Sequence, residues 1–160
     1  MTVNRFIASI DTFFKNPIVL SCLTSWFLSQ FIKAVIALIQ IRKKGFKQVL
    51  EALFWRTGGM PSSHTAVVTC MTASIAFSEG LGSNLFAVSL VIALVVMRDA
   101  LGVRRAVGLQ ARAFNNFASL SSKKTGIDFN PVKEIQGHAP LEVIVGALLG
   151  IFISAAFAWL

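Results

Sequence analysis

Residues 140–160 read Pro-Leu-Glu-Val-Ile-Val-Gly-Ala-Leu-Leu-Gly-Ile-Phe-Ile-Ser-Ala-Ala-Phe-Ala-Trp-Leu, with Glu142 as their only charged side chain. A run of this kind meets the roughly 20 residues needed to cross a hydrocarbon layer about 30 Å thick. Lipid offers no water to bare backbone groups, so a helix is the form such a segment takes. Three further apolar runs precede it, roughly at residues 17–40, 62–77 and 85–97. The first reaches spanning length. The middle two are shorter and must lean on their polar ends or on neighbouring helices.

The whole chain agrees with that reading. Its 160 residues are 55% hydrophobic and 14% charged, and the mean hydropathy is +0.71. An ordinary soluble domain is less apolar than this. The expected architecture is all-α: one integral membrane domain over residues 1–160, a small polytopic bundle of about four membrane-embedded helices with amphipathic interfacial helices. The first fifteen residues mix Phe and Ile with Arg5, Asp11 and Lys15, the pattern of a helix lying in the interface. Cys22 and Cys70 fall inside apolar runs, which favours packing over a disulfide.

The net charge of +8 fits basic residues flanking membrane spans better than it fits nucleic acid. Arg42, Lys43, Lys44, Lys47 and Arg56 follow the first run. Arg104, Arg105, Arg112, Lys123, Lys124 and Lys133 follow the third, with Arg98 at its edge. The connection at 78–84 carries Glu79 and no basic residue. The positive-inside rule then puts the two basic connections in the cytoplasm, in an inner membrane of bacterial type, and the short one outside. Residues 99 to about 120 are expected to form a helix leaving the bilayer, and 119–131 a flexible loop.

On that map the unusual polar groups converge on one membrane face. His64 opens the second run, Asp99, Arg104 and Arg105 close the third, and His138 with Glu142 opens the fourth. Lys33 sits about two turns from the same face on the first run, where a charge needs a cavity or a partner. The chain has only these two histidines.

Gly58-Gly59-Met60-Pro61-Ser62-Ser63-His64-Thr65 starts a helix with a proline and a capping serine. Free N–H groups and a positive dipole end at such a start favour a phosphate. His64 in the first turn can donate a proton to a leaving oxygen. His138 and Glu142 share one helix face, so the carboxylate can hold one ring nitrogen while the other acts as nucleophile or base. A capped helix with an incidental histidine, and a plain polar pair, are the bland alternatives.

Three ordered segments, Gly-Gly-Met-Pro-Ser-Ser-His at 58–64, Arg-Asp-Ala-Leu-Gly-Val-Arg-Arg at 98–105 and Gly-His-Ala-Pro-Leu-Glu-Val at 137–143, resemble a divergent branch of the type-2 phosphatidic acid phosphatase superfamily, which includes the vanadium haloperoxidases. The parent patterns are P-S-x-H and G-H-x-P-x-D-V-x-x-G-x-x-L-G, with Glu142 here in the aspartate's place. The resemblance implies His138 as the nucleophile forming a phosphohistidine, Glu142 as its orienter and His64 as the general acid. It implies phosphate binding by Lys33, Arg104 and Arg105, with Ser62, Ser63 and Asp99 around them. No cofactor or metal is implied, and the substrate is a membrane lipid phosphate such as phosphatidylglycerophosphate or phosphatidate. The sequence departs from the parent where Pro131 and Val132 replace Ser-Arg, and no Arg-Pro follows Lys33. Arg98 also precedes Arg104 by six residues, a second alignment that would put Arg104 in the nucleophile's place.

Two other readings stay open: a metal-dependent phosphatase using the histidines with Asp99, Glu142 or Glu134, and a non-catalytic membrane protein binding an anionic lipid. Gly146 and Gly150 make a small-x-x-x-small pattern that can pack within the chain or in a homo-oligomer.

Overall fold

A computed structural model of the chain describes residues 3–40, 59–132, 134 and 139–160. The basic stretch at 42–56, Lys133 and His138 lie outside the described residues. All regular structure among the described residues is helical: α1 (Val3–Lys15), α2 (Pro17–Gln40), α3 (Ser63–Glu79), α4 (Asn84–Leu101), α5 (Val103–Thr125) and α6 (Pro140–Ala158). Three candidate spans are long and apolar enough to cross a membrane. They are carried by α2, α4 and α6. The protein is an integral membrane protein, as its composition predicts.

At the centre is α3, with 17 residues too short to count among those spans, packed against α2, α4 and α6. Its start is fixed by Ser62, whose side chain accepts from Thr65 N–H, as the sequence predicts for a serine cap. At its far end Gly80 takes φ 84°, and the turn through Ser83 sends α4 back antiparallel. Thr72 Oγ1 donates to Ser89 O at 3.1 Å where these two helices cross. α2 also runs antiparallel to α3, while α6 runs parallel to it, as the paired contacts below require.

The interior is polar and the exterior apolar, the arrangement a lipid solvent selects. Ser21, Ser25, Ser29 and Lys33 recur every four residues along α2 and are all buried. Phe27, Phe31 and Ile39 on the same helix are exposed. Ser74 Oγ lies 3.0 Å from both Ser21 Oγ and Ser154 Oγ, so one hydroxyl chain joins α2, α3 and α6. With no gain from burying apolar surface in an apolar solvent, hydrogen bonds and close packing hold such helices together.

Close packing is supplied by two glycines. A Cβ on Gly146 would lie 2.5 Å from Ser62 O, and one on Gly150 would lie 2.8 Å from Cys70 N. The small-x-x-x-small pattern therefore packs against α3 of the same chain.

The sequence places a flexible loop at 119–131, but α5 continues to Thr125. It stops where Gly126 adopts φ 71°, a left-handed C-cap whose N–H donates to Ser122 O. The residues beyond fold back on α5. Asn115 Oδ1 accepts from Val132 N–H at 2.9 Å and its Nδ2 donates to Val132 O at 2.8 Å. Phe114 and Phe129 meet edge to face. α1 is amphipathic, with Phe6, Ile7, Ile10, Phe13 and Phe14 exposed and Lys15 paired to Asp11. That suits a helix in the interface.

Candidate functional site

Two of the three motif segments meet at one end of the bundle. Ser62 N–H donates to Glu142 O at 2.9 Å, stitching the start of α3 to the first turn of α6. Gly146 lets this happen, since its missing side chain leaves room for the Ser62 carbonyl. One turn further on, Thr69 Oγ1 donates to Ala147 O at 3.3 Å.

Lys33 reaches the same place from α2. Its Nζ donates to Ser63 Oγ at 3.2 Å, with Lys33 only 9% and Ser63 5% exposed. The Glu142 carboxylate is close enough to act electrostatically on Lys33. A cation enclosed in this way, beside a helix start with its outward N–H groups, makes a local field that suits an anion.

Glu142 serves three neighbours. Its backbone carbonyl takes Ser62 N–H, its Oε2 accepts from Ala139 N–H at 3.2 Å, and its charge faces Lys33. A carboxylate in the first turn of α6 also meets the positive end of that helix. His64, one residue after Ser63, is exposed in the first turn of α3 and is engaged with a partner. Asp99 is half-buried in the last turn of α4 and is likewise engaged. The antiparallel pairing of α3 and α4 brings Asp99 back to the end where α3 begins. Arg104 and Arg105 lie in the first turn of α5, and their side chains are outside the description. His138 precedes the described Ala139 directly in sequence.

Of the nine residues singled out from sequence, the structure joins Lys33 to Ser63 and Ser62 to Glu142, and puts His64 beside them. The sequence reading missed the serine ladder below Lys33. Its signal was present as Ser21, Ser25 and Ser29 at four-residue spacing, ending at the lysine. It also missed the Asn115 clamp, where Glu134 accepts from Asn115 Nδ2 at 3.1 Å and pairs with Arg112 Nε at 3.2 Å. These two neighbours hold the Glu134 carboxyl below its ordinary range, Asn115 contributing most. Among the described residues, no three of His, Cys, Asp and Glu gather closely enough to hold a metal ion.

The fold and this site define a polytopic membrane protein in which Lys33 of α2, the start of α3 and the first turn of α6 share one end of a helical bundle. The profile of the Divergent PAP2 family matches residues 14–153, so the chain belongs to that family. It is 38% identical over 159 residues to the "Uncharacterized membrane protein YuiD" of Bacillus subtilis (strain 168), covering 88% of this chain and 92% of the relative. No solved structure matches the chain.

Proposed function

We propose that the protein is a lipid phosphatase working at the cytoplasmic face of a bacterial inner membrane on a phosphomonoester of phosphatidylglycerophosphate or phosphatidate type. The observation that carries the reading is the enclosed Lys33–Ser63 pair, held against Glu142 by the Ser62 N–H. It supplies a fixed cation and a helix start beside His64, in a chain that belongs to the Divergent PAP2 family.

In the proposed reaction a ring nitrogen of His138 attacks phosphorus and forms a P–N bond while the bond from phosphorus to the lipid oxygen breaks. His64 gives its proton to the departing alkoxide. It then takes a proton from the water that cleaves the phosphohistidine, releasing phosphate and restoring both imidazoles. Glu142 orients His138. Lys33, Arg104, Arg105 and the Ser62–Ser63 helix start hold the phosphoryl oxygens, where preorganised charge stabilises the transition state most. Asp99 completes the polar rim.

The test is phosphate release from lipid phosphates by purified protein, with His138→Ala and His64→Ala alongside. The covalent scheme predicts loss of release in both, a 32P-labelled protein intermediate absent from His138→Ala, and inhibition by vanadate. Undiminished release from His138→Ala would overturn it. Activity abolished by EDTA and restored by Mg²⁺ would point to the metal-dependent alternative.

One observation favours a second, non-catalytic reading. Pro131 and Val132 stand where the parent pattern has Ser-Arg, and the Val132 backbone is tied to Asn115. Binding of a lipid phosphate with no turnover, surviving alanine at both histidines, would support it.

A further inference from the structure

At the end of the bundle away from Lys33, a cavity of about 470 Å³ opens between the start of α2 and the ends of α3 and α6. Its floor is the Ser74–Ser154 hydroxyl pair, its walls include Phe77 and Phe157, and Asn16, Ser78 and Glu79 supply polar groups. Among the described residues, none of the ten that line it is basic.

The electrostatics of this mouth are one-sided. Glu79 is the last residue of α3, where the unpaired carbonyls of a helix end already carry partial negative charge. α6 ends at the same cavity through Ala158. Neither helix has a basic residue in its last turn. The one positive helix end here, that of α2, is met by Asn16 Oδ1, which accepts from Ile18 N–H at 2.8 Å. Lys15, adjacent in sequence, is taken up by Asp11. A carboxylate and two helix C-termini thus border an apolar-walled cavity whose lining, among the described residues, holds no cation.

We infer that this cavity binds an alkylammonium group, with the cation at Glu79 and the two helix ends and the apolar tail along Phe77 and Phe157. The chemistry can come from a lipid with a primary-amine headgroup or from a free long-chain amine. This site is independent of the phosphoryl site and needs none of its residues.

The experiment uses the full chain in detergent, titrated with dodecylamine and with dodecanol, and followed by thermal midpoint and native mass spectrometry. A second arm compares nanodiscs of phosphatidylethanolamine with nanodiscs of phosphatidylglycerol. Dodecylammonium is expected to bind about tenfold more tightly than the alcohol. Glu79→Gln should reduce that ratio to near one. Ala158→Phe, at the exposed rim, should weaken both ligands. Stabilisation by phosphatidylethanolamine over phosphatidylglycerol, lost in Glu79→Gln, names the lipid headgroup as the source. A preference confined to dodecylamine names the free amine. Equal binding of amine and alcohol, or a preference undiminished in Glu79→Gln, overturns the assignment.

Discussion

Ser62 and Glu142, from motif segments far apart in the polypeptide, are joined by a main-chain hydrogen bond of 2.9 Å between the Ser62 N–H and the Glu142 carbonyl. A helix start usually leaves its first N–H groups to water or a ligand. Here the cap residue's own N–H is spent on α6, which ties the two helices together and keeps Ser63 and Glu142 both within reach of Lys33.

That spacing depends on Gly146 and Gly150. Adding a Cβ at either forces α3 and α6 apart, since the atoms it would meet are mostly backbone. Gly146→Ala and Gly150→Ala should each cost about 1–3 kcal/mol, the usual range for overpacking. Gly82→Ala meets nothing within 4 Å and should leave stability unchanged. Thermal unfolding of the three variants in one detergent checks the contrast.

The hydroxyl chain Ser21–Ser74–Ser154 predicts a smaller effect. Ser74 is its middle member, so Ser74→Ala loses two bonds, whereas Ser154→Ala loses one. Polar contacts inside membrane bundles average about 0.6 kcal/mol each. Ser74→Ala should therefore cost about twice as much as Ser154→Ala. Reversible unfolding in mixed micelles can resolve the difference.

Local pattern carries far in this chain. The apolar runs located α2, α3, α4 and α6 to within a few residues, because lipid enforces helix wherever length and composition suffice. Ser62 as a cap and the meeting of the starts of α3 and α6 were legible for the same reason: each lies at the start of a run, and alternating runs share an end. The continuation of α5 past Ser119 was not. Residues 119–125 are poor in apolar side chains, and the stop signal was Gly126 rather than the polar stretch before it. Nor could local pattern find Asn115, whose role appears only when Val132 folds back upon it.

The Asn115 clamp makes a pH-dependent prediction. The Glu134 carboxyl is held below its ordinary range by Asn115 and Arg112. A depressed carboxyl supports the folded arrangement above its unfolded pKa, and that support disappears as pH falls through the folded value. Protection of the Val132 amide, its exchange rate relative to the intrinsic rate at the same pH, should then be high at neutral pH and fall below the usual carboxylate range. Asn115→Ala should be unprotected throughout. Glu134→Gln should abolish the pH dependence while keeping partial protection, as hydrogen exchange with mass spectrometry can read.

Lys33 sets stability against function. Lys33 is only 9% exposed, inside a bundle whose outer surface faces lipid. It donates to the neutral hydroxyl of Ser63, and its compensation is the field of Glu142. Enclosing a charge whose hydrogen-bond partner is a neutral hydroxyl is costly, and an uncharged side chain of similar volume removes that cost. Lys33→Met should therefore unfold at an equal or higher temperature than the parent. In the proposed phosphatase the same change removes a preorganised cation, and losing one such group typically lowers kcat by about 10²–10³. Lys33→Arg keeps the charge but not the compact point geometry beside Ser63, so its activity should fall between the two. A Lys33→Met protein that is both less stable and fully active would mean that the lysine holds the helices together and plays no part in binding an anion.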